Sequence, residues 1–259
     1  MAGIKYWDAI DPTLFEQPEP RTGQQYLISG QADAAYQRLS RVFAVPAGGG
    51  RLSFRVTRDT EPDWDFFFVE AHTPGTDDWT TLPDLNGQTT TTVPTECEAG
   101  FYMNGHPQLS HYLTLADPCL PAGTTGEWNR FTGSSGGWIP VAFDLSGYAG
   151  GEVEVAVSYV TDPASGGAGL IVDDTRLVVA GSPTEAEGFE SGFGAWSVLG
   201  APDGSPDNVS DFEIADGLGD VVAVTATADT LLFGFGLEQL ESEDARADAV
   251  ARMLAHFAG

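Results

Sequence analysis

The sequence predicts a mainly β protein, an antiparallel sandwich, and two observations lead to this fold class. Apolar and polar residues alternate in RLSFRVT, where Leu52, Phe54 and Val56 share one face, and in EVEVAVSYV, where Val153 and Val155 do. A period of two is typical of strands with one buried face. Turn clusters rich in glycine and proline (PAGGG, PGTDD, TGSSGG, DPASGGAG) separate such runs, and no helical period appears before about residue 182. Many short strands separated by turns favour a sandwich.

Two domains are expected, with a boundary near Ser182. The chain has 259 residues, of which 42% are hydrophobic, enough for one large or two modest domains with a real core. Residues 1–182 form the predicted sandwich. Residues 183–259 form a C-terminal extension that contains GFESGFGAWSV near its start and ends in a predicted helix, with Ser242 as its N-cap and Gly259 at its end. We expect strands of this extension to extend or flank the sandwich, with the helix packed on them.

The segment from Leu82 to about Gly126, called the insertion below, differs from its surroundings. It has little periodicity, and it contains both cysteines, Cys97 and Cys119, neither of them in a C-x-x-C pair. We predict a disulfide between them, which would stabilise the fold by about 3 kcal/mol and favours an oxidising compartment. Two free buried thiols are the alternative. The pair His106 and His111 could in principle hold a metal, but a structural role is the simpler interpretation.

The charge of the chain excludes two classes of partner. Lysine and arginine total 11 against 38 acidic residues, a formal net charge of −27, which repels nucleic acid and anionic lipid. No segment is long and apolar enough to insert into a membrane. The first twenty residues lack the basic start and apolar centre of a signal peptide, so for a secreted protein we expect a leader outside this sequence.

Catalytic motifs in the sequence are chance matches. GSSGG at 133–137 fits G-x-S-x-G, but a strand with a proline follows it where that motif needs a helix. GFGLEQ at 234–239 lacks the third glycine of a dinucleotide fingerprint. No H-E-x-x-H pair is present to hold a catalytic zinc. We therefore expect no catalytic residues and no cofactor other than a structural metal.

Acidic residues accompany two apolar strands. Glu61, Asp63 and Asp65 precede FFFVEAH, and Asp173 and Asp174 interrupt GLIVDDTRL. Strand alternation places Asp65 on the face of the core, where an unpaired carboxylate is costly. If both strands end at one rim, their carboxylates would gather there as the hard oxygen ligands that Ca²⁺ prefers. The alternative is an aspartate–arginine pair, for instance with Arg58 or Arg176.

A longer series of segments resembles a known kind of protein. The segments include TGQQYLISGQADAAYQRLSRVFAVP, DTEPDWDFFFVEAHTPGTDDWTTLPDLNG, HPQLSHY, GTTGEWN and GLIVDDT, over roughly residues 20–180. They resemble the non-catalytic C-terminal region of secreted bacterial metallopeptidases of the immune inhibitor A and zinc carboxypeptidase types, which carry a MAM-like jelly-roll sandwich. The resemblance implies a calcium-stabilised sandwich, with Glu61, Asp65 and Asp174 as the first candidate ligands and Asp63 and Asp173 next. The peptidase domain is absent, so peptidase activity is not implied.

The leading functional hypothesis is an accessory, non-enzymatic module of a secreted hydrolase, which supports folding, holds a catalytic domain or contacts a surface. Its expected partners are a peptidase catalytic domain or an extracellular surface protein or glycan. The alternative is a carbohydrate-binding module, in which exposed Trp79, Trp128 or Trp138 would stack on sugar rings; burial of these side chains would exclude it. A self-assembling extracellular surface protein is a third hypothesis. The end of the chain resembles both the start of a second MAM-like unit and the close of a glutamine-amidotransferase-like domain.

Overall fold

The computed structural model describes residues 18–216, 224–227, 230–233, 247, 250 and 251. Of the predicted C-terminal helix, only Ala247, Val250 and Ala251 are among these residues, and each is helical. The predicted N-cap Ser242, the terminal Gly259 and the GFGLEQ segment lie outside the described residues. The described part is mainly β, as predicted.

Antiparallel strands form the framework of the fold. In chain order they are β1 (Gln25–Ile28), β2 (Tyr36–Ala44), β3 (Arg51–Asp59), β4 (Phe66–His72), β5 (Thr80–Thr81), β6 (Ile139–Asp144), β7 (Glu152–Val160), β8 (Gly169–Val179), β9 (Ser182–Glu187), β10 (Ser197–Leu199), β11 (Glu213–Asp216), β12 (Val224–Thr227) and β13 (Thr230–Phe233). Among the described residues, the helix α1 (Phe101–Gly105) and short 3-10 helices at Thr95–Ala99, Pro107–His111 and Ser146–Tyr148 lie between these strands.

These strands build two sheets and a separate hairpin. The six-stranded sheet has the order β11-β1-β8-β3-β6, with β9 also paired to β8. The five-stranded sheet has the order β10-β2-β7-β4-β5. Every strand pair in both sheets is antiparallel. The hairpin of β12 and β13 belongs to a second compact unit of the chain, which begins after Gly217.

The inner core lies between the two sheets, and the predicted alternation supplies its residues. Leu52, Phe54 and Val56 of β3 belong to this core, as do Val153 and Val155 of β7. Because side chains on a strand alternate between its faces, the apolar half of each strand meets the opposite sheet while the other half points away. The predicted sandwich is therefore confirmed.

A second, outer core lies on the other face of the five-stranded sheet, where the insertion covers it. All seven residues of β4 are buried. Phe67 belongs to the inner core, whereas Phe66 and Phe68 belong to the outer core together with Trp128. The ring centroids of Phe66 and Phe68 lie 5.2 and 4.9 Å from that of Trp128, in edge-to-face geometry that favours aromatic contact. Burial on both faces explains why β4 reads as a continuous apolar run rather than an alternating one.

The insertion is closed by the predicted disulfide. Cys97 and Cys119 are bonded, their Cα atoms lie 6.1 Å apart, and they are separated by 22 positions in the sequence. Both are buried in the outer core beside Tyr102, Leu109 and Tyr112. The insertion is thus a packed layer on the sheet, with α1 and two of the 3-10 helices as its regular structure.

The compact sandwich unit extends beyond the predicted boundary at Ser182, to Gly217. Residues 180 and 181 form a tight turn between β8 and β9, with φ angles of 50° and 82°. After this turn β9 pairs with β8, β10 with β2, and β11 with β1. Phe189 and Trp196 from the segment GFESGFGAW enter the inner core. The boundary lies further along the chain because these strands and side chains complete the sandwich itself.

Replacing both cysteines tests what the disulfide contributes. Cys97→Ser with Cys119→Ser should lower the free energy of unfolding by about 3 kcal/mol, because the unfolded insertion regains the entropy that the bond removes. In a unit of this size such a loss lowers the melting temperature by about 6–12 °C. The measurement is thermal unfolding of the double variant and of the unmodified chain, each with and without reductant. Reductant should change only the unmodified chain, and two titratable thiols in the native, unreduced protein would contradict the bond.

Candidate functional site

Asp65 lies immediately before β4, and its carboxylate contacts Tyr159 of the inner core, on the side that strand alternation predicted. Its carboxylate is fully buried and accepts hydrogen bonds from the Tyr159 hydroxyl at 3.0 Å and from the backbone N–H groups of Glu61 and Asp162 at 3.2 and 3.3 Å. Burial raises the pKa of Asp65 to about 6, and the three hydrogen bonds oppose that shift. Hydroxyl and backbone N–H donors of the protein therefore take the place of water around the Asp65 carboxylate.

Asp63 and Glu61 make different contacts from those of the Asp65 carboxylate. Asp63 sits in a turn at a φ of 68°, and its carboxylate pairs with the Arg130 guanidinium at 2.6 Å. The Arg130 side chain is almost fully buried, and it also lies over the ring of Phe66 at 5.3 Å. The aspartate–arginine alternative thus holds for Asp63, although the partner is Arg130 rather than Arg58. Glu61 contributes backbone groups, an N–H to Asp65 and a carbonyl to the Thr132 hydroxyl.

Asp173 and Asp174 do not end a strand, and the expectation that they would is wrong. β8 continues past them to Val179, and a bulge opposite β3 accommodates Asp174 at a φ of 56°. Asp173 is buried and accepts the backbone N–H groups of Arg21 and Thr22 at 3.0 and 3.1 Å, while burial raises its pKa to about 6. Asp174 pairs with Arg176 at 3.2 Å, the partner named in the alternative hypothesis.

The predicted calcium ligands therefore fall into two places. Asp65 precedes β4 of the five-stranded sheet, whereas Asp173 and Asp174 lie within β8 of the six-stranded sheet. Among the residues that the structure describes, no group of three or more histidine, cysteine, aspartate or glutamate side chains is arranged to hold a metal ion. Calcium binding stays a prediction, and it is treated as a proposal below.

A glutamate that the sequence analysis missed, Glu190, holds the chain as it enters β1. Glu190 accepts the backbone N–H groups of Gln24 and Gln25 at 3.0 and 3.1 Å. Glu190 and Asp173 thus bind backbone donors on either side of Gly23, whose positive φ lets the chain turn between them. The contact joins residues more than 160 positions apart, so no local pattern indicates it.

A second group that the sequence analysis missed is the buried carboxylate of Glu70, on the outer face of β4. It accepts the hydroxyl groups of Tyr36 at 2.5 Å, Tyr112 at 2.8 Å and Ser158. Burial, followed by the charge of Glu70, raises the pKa values of both tyrosines well above their usual range. Tyr36 and Ser158 belong to β2 and β7, whereas Tyr112 belongs to the insertion. Glu70 therefore joins three strands of the sheet to the layer that covers them.

The histidines and the serine of the GSSGG segment have structural partners. His106 is buried between the Thr161 carbonyl and the Ser205 hydroxyl, each 3.1 Å away, and burial lowers its pKa. His111 contacts the Thr125 hydroxyl at 2.8 Å. The Ser135 hydroxyl binds the backbone of Arg58 and Gly137. These contacts support the structural interpretation of each residue.

The tryptophans of the carbohydrate hypothesis are not arranged as a stacking surface. Trp128 is fully buried, Trp79 is 9% exposed, and Trp138 is half-buried with its indole N–H donating to the Glu19 carbonyl. Trp79 also stacks on His72, with ring centroids 3.8 Å apart. The prediction that they are exposed is wrong for Trp79 and Trp128, because the outer core and its edge use them as packing residues. Burial therefore removes Trp79 and Trp128 as sugar-stacking side chains and leaves Trp138 alone, which does not form a stacking surface by itself.

A polar cleft lies beside the outer core. Its volume is about 480 Å³, and its walls come from β2, the β4–β5 loop, the insertion and the loop after β10. The lining residues are Arg38, Asp77, Pro107, Gln108, His111, Ala201, Pro202 and Asp203. The guanidinium of Arg38 donates to the Gly200 carbonyl at 2.8 and 3.1 Å, which fixes the loop after β10 over the sheet.

Comparison with known proteins shows that the chain is similar to part of a bacterial metalloprotease. No family model matches the sequence. Two curated relatives are similar, the pre-pro-metalloprotease PrtV of Vibrio cholerae serotype O1 strain M66-2 and that of strain ATCC 39315 (El Tor Inaba N16961). Each is 30% identical over 177 residues, which is 67% of this chain and 15% of the relative. The chain therefore spans a small part of the length of the metalloproteases it matches.

Replacing Glu70 tests whether it holds the insertion on the sheet. Glu70→Gln keeps the shape of the side chain, but its NH₂ group cannot accept a hydroxyl proton. The Ser158 hydroxyl loses its acceptor if that group replaces Oε2, and both tyrosine hydroxyls lose theirs if it replaces Oε1. We expect a loss of about 1–3 kcal/mol in the free energy of unfolding, measured by urea denaturation. Glu152→Gln, on the exposed end of β7, should change it by less than about 0.5 kcal/mol.

A double-mutant cycle of Glu70→Leu, which removes both acceptor oxygens, with Tyr112→Phe separates the contact from other effects of the Glu70 substitution. If Glu70 binds the insertion through Tyr112, the two changes together should cost less than the sum of the single costs, by about 0.5 kcal/mol or more. Strictly additive costs would show that the hydroxyl–carboxylate contact does not hold the insertion.

Proposed function

We propose that this chain is a non-catalytic accessory module of a secreted bacterial peptidase. The observation that carries the proposal is the 30% identity over 177 residues to a metalloprotease of which the match covers only 15%. A segment of that size, folded as a sandwich with its own core, is typical of a module that accompanies a catalytic domain. On this proposal its partner is a peptidase catalytic domain in the same polypeptide, and its location is extracellular.

Further features agree with an extracellular accessory role. The buried disulfide closing the insertion suits an oxidising compartment. In the part of the chain that the structure describes, no helix has the length and apolar character needed to cross a bilayer. The side chains that could have served chemistry, such as Ser135 and His106, are engaged in packing and backbone contacts. On this proposal the interior of the sandwich serves stability, and contact with other molecules falls to its surface.

An activity assay tests the accessory proposal. The purified chain should show no turnover on casein or on a panel of fluorogenic peptides, with or without added zinc, because a module without catalytic groups supplies no transition-state stabilisation. The matched control is an active zinc metallopeptidase assayed under the same conditions. Hydrolysis by the chain that chelator abolishes would overturn the proposal.

We further propose that calcium stabilises the folded module. Asp65 and Asp173 are buried carboxylates whose pKa values burial raises, so their charged forms carry a desolvation cost that a bound cation would offset. Because the metal would bind only the folded state, stability should rise with calcium concentration, by about 2.7 kcal/mol at a hundredfold excess over Kd.

Thermal unfolding in calcium and in chelator tests the calcium proposal, and asparagine variants locate the site. Asp65→Asn and Asp174→Asn each remove a predicted ligand, so either should abolish most of the calcium-dependent rise in melting temperature if the site includes it. Asp207→Asn, at an exposed position, should leave that rise unchanged. A melting temperature that is the same in calcium and in chelator would show that these carboxylates serve only as hydrogen-bond and ion-pair partners.

A further inference from the structure

The polar cleft beside the outer core contains more negative charge than its own cation can balance. Arg38 is its arginine, and that guanidinium already donates to the Gly200 carbonyl, while its charge acts on the carboxylates of Glu154 and Asp211. Asp77 and Asp203 at the cleft wall are exposed, the Asp77 side chain by 84%. His111 lies 3.5 Å from Asp77 and carries a charge only when protonated. Two solvent-facing carboxylates are therefore available to a cation.

The rest of the lining suits a side chain with an apolar stem and a charged end. Pro107, Ala201 and Pro202 line the cleft with apolar atoms, against which the methylene groups of lysine or arginine can pack while the charged end reaches a carboxylate. The half-buried amide of Gln108 donates one hydrogen to the Tyr112 hydroxyl at 3.4 Å, and its second N–H and its carbonyl oxygen are the donor and acceptor that a peptide backbone requires. A volume of about 480 Å³ is within the usual range for ligand sites.

We propose that this cleft binds a lysine or arginine side chain presented by an extended polypeptide segment. The net charge of −27 attracts such segments over a longer range, and the cleft supplies the specific contacts. The choice of a polypeptide as partner rests on the proposed function, since a peptidase module meets either its substrate proteins or the catalytic domain of its own chain. Binding by the cleft itself does not require that function.

A peptide titration followed by NMR tests the proposal on the intact chain. The probe is a terminally blocked Gly-Ser-Arg-Ser-Gly peptide, and the matched probe replaces arginine by citrulline, which has the same shape without the charge. The arginine peptide should give saturable shifts centred on the amides of Gln108, His111 and Asp203, with an affinity about tenfold higher than that of citrulline. Added salt should weaken it, because both carboxylates are exposed.

Variants distinguish the cleft from the overall charge. Asp77→Asn with Asp203→Asn should weaken binding of the arginine peptide about tenfold or more, since both charged partners are lost. Asp33→Asn with Asp117→Asn removes the same charge at exposed positions outside the cleft and should change the affinity by less than about twofold. The melting temperatures of both variants show whether they are folded.

Three results would overturn the proposal. The citrulline peptide could bind with the same affinity as the arginine peptide, or the control variant could lose as much affinity for the arginine peptide as the cleft variant does. The third is the absence of a saturable shift at the cleft at about 10 mM peptide, a concentration well above the weak end of the usual affinity scale. The outcome is separable from that of the accessory proposal. Peptidase activity of the chain would overturn the accessory role while leaving a specific arginine shift intact, and an inactive chain without the shift would overturn the cleft alone.

Discussion

Burial of the five-stranded sheet on both faces is the constraint on which the rest of the structure depends. A sandwich needs only one buried apolar face per sheet, but both faces of β4 are buried. Each fully buried phenylalanine contributes about 1.5–3 kcal/mol only while its cover stays in place. Phe66 and Phe68 would face solvent without the insertion, so the disulfide and the packed aromatic rings stabilise the sheet as well as the insertion.

Because both faces of β4 are buried, the carboxylates on and beside this strand need hydrogen-bond donors from the protein. Glu70 is on the outer face of β4 and Asp65 at its start on the inner side, and both are removed from water. A buried carboxylate is tolerated only when donors replace its hydration, and each of the two receives three hydrogen bonds. All three donors to Glu70 and two of the three donors to Asp65 are distant in sequence, whereas the Glu61 N–H lies four residues from Asp65. The donors to Glu70 come from both layers, so this polar network fixes the position of the insertion in a way that apolar contact alone does not.

Local patterns predicted the parts of the fold that depend on local sequence. Alternation in β3 and β7 identified the inner-core residues, and Cys97 and Cys119 were the only partners available to each other. The central position of Asp173 was missed because an acidic pair looks like a strand end, although the apolar residues that follow in TRLVV continue β8 through a bulge. The alternation of faces along a sequence holds only while the strand is regular, and a bulge interrupts that regularity.

The domain boundary and the missed carboxylates have a different physical cause. Gly181-Ser182-Pro183 has the composition of a linker, but a tight turn in a hairpin has the same composition, and only pairing with β8 distinguishes them. Glu190 and Glu70 are indistinguishable in sequence from surface glutamates, because their partners lie on other strands or in the insertion. Contacts between distant positions decide these roles, and one sequence does not record which positions meet.

The distribution of charge follows from the same packing and bears on what the surface can bind. Two arginines are engaged in contacts within the fold: Arg130 is buried against Asp63 and Phe66, and Arg38 holds the loop after β10. With 11 basic residues against 38 acidic ones, the potential around the protein is negative, and basic groups held in internal contacts do little to offset it. Such a surface discriminates against anionic partners before contact and concentrates cationic ones, and a polar cleft with apolar walls is where that general attraction becomes a specific contact.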